Sequence, residues 1–396
     1  MSLVWHLQSK IDALKYWLKE YKVDGFRFDL VKGLAPNEAY QGANTDSYIS
    51  SRVERMKELH KAMKEVNPRA YHINELLGTS QEENEMALDG ELNWNKMSDD
   101  AALFATGQVA GLLGFDAIKW NRVPHSTVSY AESHDEERLA YKQKSSGVIG
   151  VKGNHGVMMR RLGSLAASMI LRPGAHMIWQ FGELGNDQTT KKSNGENNTD
   201  PKYVRWSYLE DSHRHGLFES YRQLISLRLE NSDLFDSNAT ITTHYNVSNW
   251  NSGFYMVASH HHKEMVVAIN PTISPLKNFV VSGVNGVETN DYVVASSSYG
   301  VSQPTFDVSG GVMTITSLPA HSYVVITKEC LNEIAQFGDE WMEPEVYVTD
   351  RSIYVKGKYE TLEIYALSGR KMPSHRVTPG MYIVNVDGKS KKVLVK

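Results

Sequence analysis

The chain has 396 residues, of which 41% are hydrophobic and 22% charged, and its net charge is -4. This length accommodates two or three domains with sizeable cores, and the composition is typical of a globular protein. The weak negative charge argues against a general nucleic-acid or membrane-surface role. No apolar run reaches about 18 residues, so no membrane span is predicted. The single cysteine, Cys330, excludes an intrachain disulfide and a cysteine-based metal site.

Helical and extended patterns alternate along residues 1–235. Apolar residues at helical spacing predict helices at 4–21, around 53–63, from about 99, at 157–171 and around 217–228. Short apolar runs between them predict strands at 23–30, 71–77, 88–94, 127–135 and 177–181. This alternation predicts an α/β fold whose parallel strands are joined by right-handed crossovers.

The first predicted strand carries charge on one of its faces. Phe26 and Phe28 fall on one face of an extended chain, whereas Arg27 and Asp29 fall on the other. In an α/β barrel, charged groups at the carboxyl ends of strands usually take part in chemistry. The alternative is an amphipathic surface strand with a local ion pair.

The pattern changes from helical to alternating after about residue 236. Short β-branched or aromatic runs bounded by turn residues predict an antiparallel β domain over residues 236–330. An acidic stretch at 331–344 is typical of a linker. It precedes a small third unit, residues 345–396, in which five short strands are predicted.

Three carboxylates stand at the ends of predicted strands: Asp29, Glu75 and Asp135. Two carboxylates about 5 Å apart can cleave a glycosidic bond with retention, one as nucleophile and the other as general acid/base. Arg27 would hold Asp29 ionised and oriented, and the mostly apolar surroundings of Glu75 favour a proton donor. The alternative is that each acid merely caps the helix that follows it.

Several segments together resemble the α-amylase family of glycoside hydrolases. The stretch Val-Asp-Gly-Phe-Arg-Phe-Asp-Leu-Val-Lys-Gly at 23–33 resembles the second signature motif of that family. Asn-Glu-Leu-Leu-Gly at 74–78 and Glu-Ser-His-Asp-Glu-Glu-Arg at 132–138 resemble the third and fourth motifs, in the same order. Gly-Glu-Leu-Gly at 182–185 and Arg-Trp at 205–206 also look like that family.

This resemblance implies a (β/α)8 TIM-type barrel and a role for each motif residue. It implies that Asp29 is the nucleophile, that Glu75 is the general acid/base and that Asp135 stabilises the transition state. The substrate-binding residues would be Arg27, Lys32 and His134. The implied partner is an α-glucan oligo- or polysaccharide, and the chemistry needs no cofactor.

The sequence departs from the family pattern in two respects. The first signature motif is absent, and the chain begins at the helix before strand four, so strands four to eight are predicted. The pattern leaves open whether the chain needs a complementing N-terminal half as a partner. Gly33 occupies a place where many relatives have a calcium-associated histidine, which leaves the presence of a structural calcium open.

Three functions are compatible with these motifs. The first is a retaining glycoside hydrolase acting on α-1,4-linked glucans such as starch, glycogen or maltodextrin. The second is a branching-type α-glucan transglycosylase, which shares the covalent intermediate and differs in whether water or a sugar hydroxyl accepts it. The third belongs to another class and is an inactive glucan-binding fragment.

The last unit resembles the C-terminal sorting domains of secreted Bacteroidetes proteins. The resemblance rests on the segments at 362–371 and 379–384 and on the basic end at 388–396. It implies a secreted, periplasmic or cell-surface protein. The alternative is a small accessory β-sandwich.

Aromatic and histidine residues outside the motifs suggest weaker candidates. Trp94 and Trp120 could stack on sugar rings, whereas Trp179 lies in an apolar run and is expected in the core. The three consecutive histidines at 260–262 lie between two predicted strands. They are expected at an exposed hairpin tip rather than in a metal site.

Overall fold

The structure is a computed structural model that describes residues 2–35, 44–117, 121–196, 201–328, 345–349, 351–356 and 361–395. The chain forms two compact units, Met1–Leu331 and Asn332–Lys396. In the described ranges, no helix is long and apolar enough to cross a membrane.

The helices of the first unit are concentrated in its first 230 residues. Their bounds are α1 (Ser2–Tyr16), α2 (Ser50–Val66), α3 (Ser80–Leu88), α4 (Ser98–Thr106), α5 (Leu139–Ser146), α6 (His155–Ile170) and α7 (Ser212–Glu230). A π-helical turn, Trp17–Tyr21, continues α1.

Five parallel strands form one sheet between these helices. They are β1 (Gly25–Phe28), β2 (Tyr71–Asn74), β3 (Leu92–Lys96), β4 (Thr127–Tyr130) and β5 (Ala175–Met177). They lie in sequence order, β1-β2-β3-β4-β5, and Phe28 pairs with Asn74 at the carboxyl ends of the first two. The predicted fold class is therefore confirmed: five parallel strands, consistent with part of a (β/α)8 barrel, precede antiparallel sheets.

The two faces of this sheet have different apolar surroundings. On one side, α1 and α2 bury their apolar faces, including Leu14 and Met56, against the sheet residues Phe26 and Phe28. On the other side, a smaller cluster contains Trp94, Val128 and Tyr130. Because successive strand residues point to opposite faces, β2 sends His72 and Asn74 to one side and Ile73 to the other.

Two predictions for this region were wrong in detail. The strand predicted at 88–94 is β3, Leu92–Lys96, because Leu88 is the last residue of α3. The strand predicted at 177–181 ends at Met177, so Trp179 lies beyond it and is partly exposed rather than in the core.

The β domain of the first unit contains two antiparallel sheets. Its strands are β6 (Thr240–His244), β7 (Phe254–His260), β8 (Lys263–Asn270), β9 (Leu276–Ser282), β10 (Tyr292–Ser297), β11 (Phe306–Ser309), β12 (Val312–Leu318) and β13 (Ser322–Lys328). The orders are β10-β13-β8-β7-β6 and β11-β12-β9. The histidines at 260–262 lie at the β7–β8 hairpin turn, as predicted.

The five-stranded sheet of the β domain is buried on both faces. Val266 and Ala268 of β8 pack with residues of the three-stranded sheet. Met265 and Val267 pack in a second core with α4, α6 and α7 of the half-barrel, the name used here for the five parallel strands β1–β5 and helices α1–α7. This double burial explains why β8 reads as a nearly continuous apolar run.

Within the residues that the structure describes, the second unit contains five short strands. They are β14 (Glu345–Thr349), β15 (Ser352–Lys356), β16 (Leu362–Ala366), β17 (Gly380–Val386) and β18 (Lys389–Val395). A two-stranded sheet, β14-β15, and a three-stranded sheet, β16-β17-β18, share a core that includes Ile353, Ile364 and Val384.

Candidate active site

Asp29 and Glu75 directly follow adjacent parallel strands. Asp29 comes after β1 and Glu75 after β2, so both lie at the carboxyl edge of the sheet. Leu30 adopts a left-handed backbone conformation, with φ of 46°, and its N–H donates to Glu75 Oε2 at 2.8 Å. The turn after β1 is thereby hydrogen-bonded to the acid of the neighbouring strand.

Arg27 joins the two carboxylates. One of its terminal nitrogens contacts Asp29 Oδ1, and the other lies 3.0 Å from Glu75 Oε2. Its guanidinium carbon lies 3.9 Å from the ring centroid of Trp94, which is buried on β3. A planar guanidinium stacked on an aromatic face is restricted in rotation, so it holds both acids in a defined orientation.

The two acids differ in their exposure. The Asp29 side chain is 73% exposed, whereas the Glu75 side chain is 15% exposed. An exposed carboxylate at the edge of the sheet is accessible to a bound molecule. A more enclosed carboxyl group is shielded from bulk water, as a proton donor and acceptor should be.

The segment after β4 brings a third acid to the same edge. Asp135 Oδ1 lies 3.3 Å from His134 Nε2, and both side chains are about half exposed. The His134 ring is 6.2 Å from the Trp94 ring and 5.9 Å from that of Trp179. Trp94 is therefore near both Arg27 and His134.

The buried Tyr130 of β4 provides further evidence that these charges converge. Burial is the largest cause that raises the pKa of its hydroxyl. The negative charges of Glu136, Glu75 and Asp135 raise the pKa further, and the positive charge of Arg27 lowers it. Acids from two different strand ends thus act on one phenol.

Lys32 is engaged with another partner. It lies in a 3-10 turn, Val31–Leu34, and its Nζ is 2.5 Å from Asp46 Oδ1. This ion pair lowers the pKa of the exposed Asp46. The structure therefore brings Arg27, Asp29, Glu75 and His134–Asp135 into one region, while Lys32 pairs with an acid outside it.

The sequence suggested that Trp94 could stack on a sugar ring, whereas in the structure its ring is buried and covered by Arg27. Its ring faces the Arg27 guanidinium and lies 4.8 Å from the Tyr130 ring, so we assign it a positioning role. Trp120, the other tryptophan of the pair, lies outside the described residues. Trp179 was expected in the core, and its position beside His134 depends on where β5 ends.

A buried arginine behind the site was also missed. Arg52 of α2 forms an ion pair with Glu82 of α3, and neither side chain is exposed. Its guanidinium also donates to the Lys32 and Thr45 carbonyl oxygens, at 3.2 and 2.9 Å. Arg52 therefore fixes the segment that follows Asp29, but no sequence motif marks it.

The side-chain cluster that could hold a metal ion has a composition that does not suit calcium. Across the described residues, one group combines three metal-ligating side chains within 4.8 Å, and it consists of His60, His72 and Glu91. Calcium takes six to eight oxygen ligands, so this nitrogen-rich set does not suit it. A Cβ added at Gly33 would lie 3.9 Å from the Leu30 side chain.

Comparison with protein families gives a match over more than half of the chain. The model of the "Alpha amylase, catalytic domain" family matches residues 6–220. The matched region contains all five strands of the parallel sheet and the three acids at their ends.

Individual relatives are distant. The chain is 23% identical to the "Glycogen operon protein GlgX homolog" of Haemophilus influenzae over 255 residues, which are 55% of this chain and 38% of that protein. It is similar in fold to an α-amylase from H. orenii, with a TM-score of 0.55, 17% identity, and coverage of 82% of this chain and 64% of that one.

A second structural relative is the debranching enzyme of Nostoc punctiforme. The TM-score is 0.53 at 16% identity, over 81% of this chain and 61% of that enzyme. The chain thus spans less than two thirds of the length of each of these relatives. These similarities concern the fold, and the family match over residues 6–220 shows that the chain belongs to the alpha-amylase family.

Proposed function

We propose that the chain provides the acid cluster of a retaining glycoside hydrolase that acts on α-1,4-linked glucans. The observation that carries the proposal is the Arg27 guanidinium, which contacts the carboxylates of both Asp29 and Glu75 while stacked on Trp94. A retaining mechanism needs two carboxyl groups about 5 Å apart. Two acids that share one guanidinium are compatible with that spacing.

In the first chemical step, an Asp29 oxygen attacks the anomeric carbon of the bound sugar. The bond from this carbon to the glycosidic oxygen breaks, and Glu75 transfers its proton to that oxygen. The products are a free glucan end and a glycosyl ester on Asp29. The exposure of Asp29 suits attack, and the more enclosed Glu75 suits proton transfer.

In the second step, Glu75 takes a proton from a water molecule, whose oxygen attacks the anomeric carbon. The ester bond to Asp29 breaks, and both acids return to their initial states. Asp135 would stabilise the positive charge that develops on the sugar ring, and His134 would donate to a sugar hydroxyl. Their position at the end of β4, within the matched family region, supports these roles.

Two other functions predict different products. A branching-type transglycosylase would pass the glycosyl group to a sugar hydroxyl, so new branch points would form instead of reducing ends. Because one relative is named a debranching enzyme, a branched glucan such as glycogen should be tested beside amylose. An inactive glucan-binding fragment would bind these polymers and release no product.

The first test uses Asp29→Asn and Glu75→Gln variants on two substrates. We expect both variants to lose roughly 10²–10⁴-fold in kcat on amylose, because each lacks a carboxylate that takes part in the reaction. Glu75→Gln should lose much less in the first step on a 4-nitrophenyl α-maltoside. The nitrophenolate departs without proton donation, so this step does not need the Glu75 proton. Asp29→Asn should lose as much on this substrate as on amylose, because the nucleophile is still missing.

Glu58→Gln is the matched control for these variants. Glu58 is exposed on α2, so Glu58→Gln should retain the kcat of the parent chain. Reducing-end and branch-point assays on the parent chain distinguish hydrolysis from transfer. Activity of the parent chain that is unchanged in Asp29→Asn would contradict the proposal. Glucan binding without turnover would favour the inactive fragment.

We also propose that the chain is exported, on the basis of the resemblance of residues 345–396 to sorting domains. Antibody detection in fractions of the producing bacterium would test this. The proposal expects the chain in the periplasm, at the cell surface or in the medium. Recovery only from the cytosol would contradict it.

A further inference from the structure

A second cluster of chemically active side chains lies on the opposite face of β2 from Glu75. It consists of His60 from α2, His72 from β2 and Glu91, which directly precedes β3. One ligand atom from each of the three lies within 4.8 Å of the others. The three residues are at most 5% exposed, so the cluster lies inside the layer between sheet and helices.

The three side chains are close enough to share one ion. His72 Nε2 lies 3.5 Å from Glu91 Oε2, and the two imidazole rings are 5.3 Å apart between centroids. Zinc bonds of about 2.0–2.2 Å bring neighbouring ligand atoms to about 3.5 Å of each other. The ligand atoms of the three residues lie within 4.8 Å of one another, somewhat wider than this spacing, and small side-chain rotations would bring the lone pairs of both histidines and Glu91 to it.

Each of the three residues has a buried polar atom without a hydrogen-bond partner in the described structure: His60 Nδ1, His72 Nδ1 and Glu91 Oε1. A buried polar atom without a partner is costly, and three in one cluster need an explanation. Among the described residues, no lysine or arginine nitrogen forms an ion pair with Glu91. Burial raises the pKa of Glu91 to about 8, so a bound cation would displace the Glu91 proton and then satisfy the lone pairs and the carboxylate together.

Asn74 adds a supporting contact of the kind found around metal ligands. Its Nδ2 donates to Glu91 Oε2 at 2.5 Å, and its Oδ1 lies 3.0 Å from His72 Nε2. Because this oxygen can only accept, the proton of His72 is assigned to Nε2, which leaves a lone pair on Nδ1. Such partners orient metal ligands and fix the histidine tautomer.

The ligand types indicate which metal would bind. Two imidazoles and one carboxylate suit zinc and neighbouring transition metals, whereas calcium and magnesium need a set of oxygens. Burial lowers the pKa of both His60 and His72, so their neutral, metal-binding forms are available at neutral pH.

We propose that His60, His72 and Glu91 form a zinc-binding site that holds α2, β2 and the start of β3 together. His72 lies near the amino end of β2, three residues before Glu75. In barrels of this type, the amino ends of the strands serve stability, whereas catalytic residues lie at the carboxyl ends. We therefore expect the zinc site to stabilise the fold. The site is independent of the proposed hydrolase function, and its test requires no activity.

The test measures zinc retained by the purified full chain. The protein is stripped with a chelator, incubated with Zn²⁺ and passed through a desalting column, and bound zinc is measured by elemental mass spectrometry. Glu91→Gln and His60→Gln remove one ligand each and preserve side-chain size. Since Glu91→Gln retains a hydrogen-bond acceptor for Asn74, it remains informative if His60→Gln fails to fold.

Two controls separate this site from surface binding. A triple variant, His260→Ser, His261→Ser and His262→Ser, removes the histidines of the β7–β8 turn, and Glu58→Gln changes an exposed acid of α2. We expect one equivalent of zinc in the parent chain and both controls, and loss of that equivalent in Glu91→Gln and His60→Gln. Zinc should also raise the Tm of the parent chain but not of the two ligand variants.

Three results would overturn the proposal. One is a parent chain that retains no zinc after desalting and shows no change in Tm, which would leave a metal-free hydrogen-bonded cluster. Another is retention in Glu91→Gln equal to that of the parent chain. The last is loss of zinc in the triple variant, which would assign the ion to the surface histidines.

Discussion

At the scale of single residues, Arg27 is the centre of the candidate active site. The alternation of the 23–30 segment predicts that Arg27 and Asp29 share a face, and the structure places their side chains in contact. The contact with Trp94 could not be predicted in the same way. Trp94 belongs to β3, so its position opposite Arg27 depends on the register of three strands rather than on a local pattern.

Arg27→Lys tests whether the guanidinium geometry matters beyond its charge. An ammonium group cannot contact both acids as a planar fork or stack on Trp94, so the orientation of both carboxylates should loosen. We expect kcat on amylose to fall by about 10²-fold, the order of loss caused by a misplacement of about 1 Å. Steady-state kinetics would measure this.

The control for this variant is Arg69→Lys, since Arg69 is exposed in the turn before β2. It should retain parental kinetics. Parental kcat in Arg27→Lys would show that a positive charge alone suffices and would contradict the positioning role.

At the scale of helices and strands, the sequence predicted those elements whose apolar residues recur at regular spacing. The five parallel strands and the long helices were predicted because they carry recognisable apolar patterns, whereas β6 and β11 of the β domain were not predicted individually. The short helices α3 and α5 were not, because they bury polar side chains: Glu82 and Glu83 in α3, and Gln143 in α5. Their burial depends on partners supplied by other elements, such as Arg52 of α2, and no local pattern reveals such partners.

The Arg52–Glu82 pair therefore gives a prediction for the packing of α2 against α3. Arg52→Ala leaves the Glu82 carboxylate buried without its cation and removes the contacts to the segment after Asp29. Breaking a buried pair in this way typically costs about 3–5 kcal/mol in the free energy of unfolding. Urea denaturation followed by circular dichroism would measure the loss.

Arg69→Ala, which removes an exposed arginine after the same helix, should change the unfolding free energy by less than about 0.5 kcal/mol. A loss in Arg52→Ala no greater than in this control would show that the buried pair does not stabilise the fold.

At the scale of the first unit, the half-barrel and the β domain share a core. Arg161 of α6 donates to the Phe104 carbonyl oxygen at 3.0 Å and to that of Pro271 at 2.7 Å, and its Nη1 lies 2.8 Å from His321 Nδ1. These contacts join residues separated by up to 160 positions. The sequence predicted both regions but not this junction, since nothing local in α6 identifies its distant partners.

The junction predicts a dependence of stability on pH. Burial, and then the charge of Arg161, lowers the pKa of His321 from 6.5 to about 4. Between these values the unfolded chain binds a proton that the folded chain does not. The stabilisation that His321 contributes to the free energy of unfolding is thus fully present above about pH 6.5. It is lost as the pH falls towards 4, and the loss amounts to up to about 3 kcal/mol.

His321→Asn should make the unfolding free energy less dependent on pH in this window. Asn tolerates the left-handed backbone of residue 321, where φ is 52°, and offers Arg161 an uncharged acceptor. Urea unfolding at several pH values would measure the slope. His261→Asn is the matched control, because His261 has a φ of 51° and is exposed. Equal slopes in His321→Asn and the parent chain would contradict the assignment.

Trapping the glycosyl ester on Asp29 would test directly whether this residue is the nucleophile. A 5-fluoro maltosyl fluoride should label the chain, because fluoride leaves readily and the ring fluorine slows hydrolysis of the ester. Tryptic cleavage after Arg27 and Lys32 gives the peptide Phe28–Lys32, in which Asp29 has the sole carboxylate side chain. We expect mass spectrometry to find a sugar adduct on this peptide in the parent chain and none in Asp29→Asn. An adduct on the peptide that carries Glu75 or Asp135, or an unlabelled parent chain, would contradict the role of Asp29 as nucleophile.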